Sequence, residues 1–136
     1  MKNSIRIYFD GSFTDHAHAG AIIYFPSNKK IELSECVVSN LPQSNNVAEH
    51  FAVTIALNYL LKNSYKDSLI EFYGDSRMTV MQLNKRWKLK NGAYVPFAVQ
   101  NLELLKNFTS TSFHWIPRLE NYKADSLSKC NLDKVL

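Results

Sequence analysis

Hydrophobic and polar positions along the chain follow two different periods. In residues 4–10, Ile5, Ile7 and Phe9 fall on one face, the two-residue period of a strand. Residues 19–25, AGAIIYF, read as a second strand, closed by the turn cluster Pro26-Ser27-Asn28. Residues 30–38 alternate again, with Ile31 and Leu33 packing and Cys36 and Val38 as further inward positions. Three strands with short connections predict an antiparallel meander. After Pro42-Gln43-Ser44-Asn45-Asn46 the period lengthens. Across 47–62, Ala48, Phe51, Ala52, Ile55, Ala56, Tyr59 and Leu60 trace one helical face, with Asn45 or Asn46 as N-cap. A strand at 69–73 and a helix at 76–84 with Val80 and Leu83 inward come next, then a polar turn at 85–92. A helix at 95–107 places Val95, Val99, Leu102 and Leu105 or Lys106 at core spacing, with Pro96 tolerated in its first turn. A strand at 112–116 and a helix at 121–131 complete the series.

A meander followed by strand–helix alternation predicts a single α/β domain over residues 1–136. Its sheet has five strands and is mixed, three antiparallel then two parallel, with helices on both faces. The hydrophobic share of 46% and charged share of 21% suit an ordinary globular chain. No apolar run reaches the length of a membrane span, and the N-terminus enters a strand without a signal-peptide stretch, so a cytoplasmic monomer is expected. The two cysteines, Cys36 and Cys130, form no CxxC, and free thiols are expected rather than a zinc site. The formal charge is +4, and Lys85, Arg86, Lys88 and Lys90 concentrate positive charge in one turn. That patch either tracks a phosphate backbone or is a solvated loop; Trp87 within it either stacks on a sugar or base or covers the core.

Four acidic residues change the picture. Asp10 follows an apolar strand in Tyr8-Phe9-Asp10-Gly11-Ser12, and Asp75 ends another in Phe72-Tyr73-Gly74-Asp75-Ser76. Glu49 sits on the first long helix between Ala48 and Phe51, and Asp125 opens the last one between Ala124 and Leu127. Each has a structural reading: Asp10-Gly11 as a turn, Asp75 as an N-cap, Glu49 and Asp125 as first-turn acids opposing the helix dipole. Together they offer the hard oxygen donors that Mg²⁺ selects. Two such ions, about 4 Å apart, support phosphodiester cleavage.

In order along the chain, four segments resemble the ribonuclease H type 1 family: Asp10-Gly11-Ser12 with Gly20-Ala21; Asn45-Asn46-Val47-Ala48-Glu49; Gly74-Asp75-Ser76 with Val80, Gln82-Leu83-Asn84 and Trp87-Lys88-Leu89-Lys90-Asn91; and Trp115-Ile116-Pro117-Arg118 with Asn121 and Ala124-Asp125. The last two look especially like its compact, reverse-transcriptase-like branch. The resemblance implies a ribonuclease H-like fold. It also implies hydrolysis of the RNA strand of an RNA–DNA hybrid by a two-metal-ion mechanism, leaving 5′-phosphate and 3′-hydroxyl ends. Asp10, Glu49, Asp75 and Asp125 would hold two Mg²⁺ ions, with Mn²⁺ as a substitute, Asp10 bridging them and Glu49 lying near a ribose 2′-hydroxyl. Gly11, Ser12, Asn45, Asn46, Ser76, Trp87 and Lys88 would contact the nucleic acid, an RNA–DNA hybrid with double-stranded RNA as a further candidate.

The chain departs from the family at three places. Phe13-Thr14-Asp15-His16-Ala17-His18 stands where many members have a glycine-rich turn. Residues 84–95 are too few for a basic helical handle, and Arg118 occupies the loop where other members carry a mobile histidine, which makes it the candidate for steering or releasing phosphate. His16 and His18 read as solvated loop residues, His114 as a packed or edge residue, and His50 as pointing away from Glu49 on the helix. Three other functions compete: a non-catalytic hybrid- or double-stranded-RNA-binding module, another nuclease of the superfamily, and a pure interaction protein. The complete acidic set favours catalysis, and Asn45-Asn46 with Glu49 favour the RNA strand.

Overall fold

In a computed structural model, which describes residues 4–37 and 43–129, the chain forms five strands and four helices. The strands are β1 (Ser4–Phe13), β2 (Ala17–Tyr24), β3 (Lys30–Cys36), β4 (Leu69–Gly74) and β5 (Ser110–Trp115). The helices are α1 (Asn45–Lys62), α2 (Arg77–Leu83), α3 (Val95–Leu105) and α4 (Tyr122–Lys129), the last entered through a 3-10 turn at Arg118–Asn121. The expectations for Val38, Pro42, Cys130 and the last residues of the 121–131 helix lie outside the described residues.

The sheet order is β3-β2-β1-β4-β5. The β1–β2 and β2–β3 pairs are antiparallel, and the β1–β4 and β4–β5 pairs parallel. The expected mixed sheet is therefore the observed one. Alternation along β1 sends Ile5, Ile7 and Phe9 into the main core with α1, and Arg6, Tyr8 and Asp10 to the other face. Two glycines let helices approach that sheet from opposite sides. A Cβ on Gly11 would lie 2.3 Å from the Ala48 carbonyl carbon of α1, and one on Gly20 would lie 2.5 Å from the Ser128 nitrogen of α4.

Several local expectations shift. β1 runs on to Phe13 and β2 starts at Ala17, so the hairpin turn is shorter than the sequence suggested and His18 joins a strand. Ser44, rather than Asn45 or Asn46, caps α1; its hydroxyl accepts from the Val47 N–H at 3.2 Å. Burial on α1 reaches beyond one face, to His50, Val53, Thr54 and Leu57, because the helix lies between the sheet and α3. The inner face of α3 is Phe97, Ala98 and Asn101, while Val99 is 46% exposed. Asn101 is buried because it is satisfied: its Nδ2 donates to the His50 carbonyl at 2.8 Å, and its Oδ1 accepts from the Thr54 hydroxyl at 2.6 Å. A hydrophobic period passes over such a position and selects its apolar neighbour.

Candidate active site

The parallel pair at the centre of the sheet builds the site. Phe9 pairs with Gly74, so Asp10 in β1 and Asp75 just beyond β4 leave adjacent strands at one level. Gly11 lets the start of α1 press against β1, which brings Glu49 over the same point. Carboxylate oxygens of Asp10, Glu49 and Asp75 all lie within 4.8 Å of one another. Asp125, on α4, stands beside Asp10 and lines the same cleft of about 280 Å³. Gly11, Ser12, Asn45 and Arg118 complete the cleft wall.

The electrostatics are unusual for carboxylates. Asp10 is only 6% exposed, and its pKa is pushed up to about 8, first by burial and then by Asp75 and Asp125 beside it. Burial pushes Glu49 up to about 7, against the hydroxyls of Ser76 and Thr79, which favour its charged form; Asp75 raises it and Arg118 lowers it. Among the described residues, only Asp125 of the four forms an ion pair, with Lys129 at 3.3 Å. Three convergent carboxylates with no ion pair among the described residues, and Arg118 only at the cleft wall, fit a divalent cation. The all-oxygen donor set suits a hard one.

Neighbours hold these groups in place. The Ser76 hydroxyl accepts from the Thr79 N–H at 3.3 Å and so caps α2, which leaves Asp75 free of the capping role open to it. The Thr79 hydroxyl donates to Glu49 Oε1 at 3.2 Å. The Nδ2 of Asn121 donates both to the Phe9 carbonyl (2.9 Å) and to Asp75 Oδ2 (3.2 Å), tying the ends of β1 and β4 together. Trp115 Nε1 donates to the Asp75 carbonyl at 3.2 Å. The Ser12 hydroxyl donates to the Ser128 carbonyl at 2.7 Å and so anchors α4.

The remaining sequence candidates form a second group. Trp87 and Lys88 line a larger cleft of about 700 Å³ with Met78, Arg86 and Lys90, and Trp87 is 45% exposed rather than covering the core. Asn46 is the link: its side chain reaches Met78 Sδ at 3.9 Å. Three supporting residues escaped assignment from the sequence. Lys129 stands four residues after Asp125, a helical ion-pair spacing that could have revealed it. Thr79 stands at the third position of α2, where the cap turns back. Asn121 lay within a recognised segment but carried no role.

Residues 8–130 match the family described as Reverse transcriptase-like. The chain belongs to this ribonuclease H-like family. Among its relatives, EbsB of Enterococcus faecalis is 27% identical over 135 residues, covering 96% of this chain and 95% of EbsB. The bifunctional protein Rv2228c of Mycobacterium tuberculosis is 27% identical over 114 residues, covering 84% of this chain and 30% of that longer protein. The N-terminal ribonuclease H domain of Rv2228c superimposes with a TM-score of 0.83 at 25% identity, over 98% of this chain and 96% of that one. LC11-RNase H1, solved in complex with an RNA/DNA hybrid, superimposes with a TM-score of 0.83 at 27% identity, over 96% and 98% of the two chains.

Proposed function

We propose that this chain is an endoribonuclease that hydrolyses the RNA strand of RNA–DNA hybrids by a two-metal-ion mechanism, leaving 5′-phosphate and 3′-hydroxyl ends. The observation that carries the reading is the convergence of Asp10, Glu49 and Asp75, with Asp125 beside them, in one cleft where, among the described residues, none of the first three forms an ion pair. The likeness to LC11-RNase H1, a protein solved with a hybrid, supports the substrate. Asp10, Glu49, Asp75 and Asp125 would hold two Mg²⁺ ions, or Mn²⁺ in their place. Bound there, the ions supply charge neutralisation, activation of water and stabilisation of the leaving oxygen.

The protein's own groups have separate tasks. Thr79 and Ser76 orient Glu49, which reaches towards a ribose 2′-hydroxyl and so reads RNA against DNA. Asn121 holds Asp75 level with Asp10. Asn45, exposed at the cleft wall, and Asn46, between the two clefts, face the minor groove with the Gly11-Ser12 backbone. Arg118, on its exposed 3-10 turn at the same wall, steers phosphate. Trp87 and Lys88 engage the hybrid further along, by stacking and by phosphate contact. The enzyme acts as a cytoplasmic monomer of one ribonuclease H-like domain, with double-stranded RNA as a secondary ligand.

An end-labelled hybrid incubated with the protein and Mg²⁺ tests this. The expected outcome is internal cutting of the RNA strand, absent on duplex DNA and lost in Asp10→Asn. Hybrid binding without cutting, in either Mg²⁺ or Mn²⁺, would replace the enzyme with a binding module.

A further inference from the structure

A second donor cluster lies on the α4 face of the sheet, one row away from Asp10. Pairing aligns Asp10 with Gly20 and Ser34 in one row, and Ser12 with His18 and Cys36 in the next. His16, in the turn before β2, completes a group in which one donor atom each from His16, His18 and Cys36 lies within 4.8 Å of the others. His18, read from the sequence as a solvated loop residue, is only 6% exposed.

The hydrogen bonds around His18 assign one tautomer. The Leu127 carbonyl can only accept, so the Ser34 hydroxyl spends its one hydrogen there, at 2.7 Å. Ser34 Oγ must then accept from His18 Nε2, 3.2 Å away, and the proton sits on Nε2. That leaves a lone pair on Nδ1, which faces Cys36 Sγ at 3.0 Å. An imidazole lone pair, a thiol and a second imidazole thus converge, and the ring nitrogen not facing them is held by an oxygen. A metal-binding histidine is oriented in the same way.

We propose that His16, His18 and Cys36 form a site for a soft divalent cation, Zn²⁺, separate from the carboxylate site and independent of the nuclease reading. Thiolate and imidazole donors select Zn²⁺ over Mg²⁺. Binding replaces the Cys36–His18 hydrogen bond: the thiol proton leaves to solvent and the thiolate takes the metal. A cleft of about 270 Å³ beside His18, lined by Ser12, Thr14, Ser128 and Lys129, would admit a water as fourth ligand. Occupancy would pin the β1–β2 turn and the edge strand β3 together and, through Ser34 and Leu127, hold the helix that carries Asp125.

Cobalt(II) titration of the metal-free full chain tests the site, because a thiolate ligand gives cobalt a near-ultraviolet charge-transfer band that carboxylates do not. The expected result is a band saturating at one equivalent and displaced by Zn²⁺. It should persist in Asp10→Asn and in Cys130→Ser and vanish in Cys36→Ser. His16→Gln, at a turn position, should weaken cobalt binding about 100-fold, and Ser34→Ala should weaken it roughly 10-fold, the scale of a lost outer-shell partner. No thiolate band in the folded wild-type chain, or a band that survives Cys36→Ser, would overturn the proposal.

Discussion

The two donor clusters on the α4 side of the sheet are held together by opposite means. Around Asp10, carboxylates crowd one another and a proton on the buried acid relieves part of the repulsion. Around His18, a thiol, an imidazole and a serine hydroxyl satisfy one another in a chain that ends on the Leu127 carbonyl. The first cluster is assembled from four separate elements, the second from one hairpin and its edge strand. A site gathered from distant elements can hold like charges together because the whole fold opposes their separation; the hairpin site is held by hydrogen bonds instead, one of which reaches α4 at Leu127.

The sharpest way to separate the clusters is Asp10→Asn. It should cost several kcal/mol of transition-state stabilisation, about a thousandfold or more in kcat on a hybrid, while leaving cobalt binding at Cys36 intact. Gly20→Ala should disturb both clusters at once. Its Cβ meets the α4 backbone at 2.5 Å, so α4 must move, at a cost of about 3 kcal/mol and roughly 10 °C in Tm by thermal melting. Gly11→Ala, at 2.3 Å from the α1 backbone, should cost as much but harm only the carboxylate side.

The pH dependence of the metal-free protein should have opposite signs in the two regions. Asp10 keeps its proton in the folded state up to about pH 8, against 3.8 when unfolded, so its contribution is full at low pH and is lost as pH rises through that window. Melting temperature should therefore fall from pH 5 to 8, by about 5 °C. Glu49, which burial raises to about 7, contributes the same sign at the lower end of that range, so Mg²⁺ should reverse the fall while Asp10→Asn should remove only the part that persists above pH 7. Burial and His16 lower the pKa of His18, so its contribution is present above 6.5 and lost as pH falls below it. His50, lowered by burial alone, adds the same sign, and only His18→Gln should change the part that belongs to the second cluster. The smallest effect is expected from Trp87→Ala: KM for the hybrid rises roughly tenfold, the value of one stacking contact, with kcat unchanged.

The carboxylates were legible because each one breaks an apolar pattern: Asp10 and Asp75 at strand ends, Glu49 and Asp125 on helices among apolar neighbours. The sheet was legible because Ile5, Ile7 and Phe9 alternate so regularly. What period could not show was polar burial. Asn101 belongs to the core of α3 only because His50 and Thr54 supply its hydrogen bonds, and Val99 took its place in the sequence reading. His18 was hidden for a related reason. Its strand begins two residues earlier than the apolar run does, and its partner Cys36 is brought opposite by a register that spacing alone does not reveal. The cap of α1 at Ser44 was missed because Ser, Asn and Asn compete on nearly equal terms as caps, and only the helix start decides among them.

The central position of β1 also governs when the carboxylate site becomes complete. Its Ile5 must find Ile70, and Asp10 must wait for Asp125 to be synthesised and for α4 to dock. Such long-range pairing closes large loops before it gains contacts, and so comes late in folding. A chain divided in the 85–92 turn would separate Asp10, Glu49 and Asp75 from Asp125. Neither piece should cut a hybrid, and activity should return only when the two re-associate.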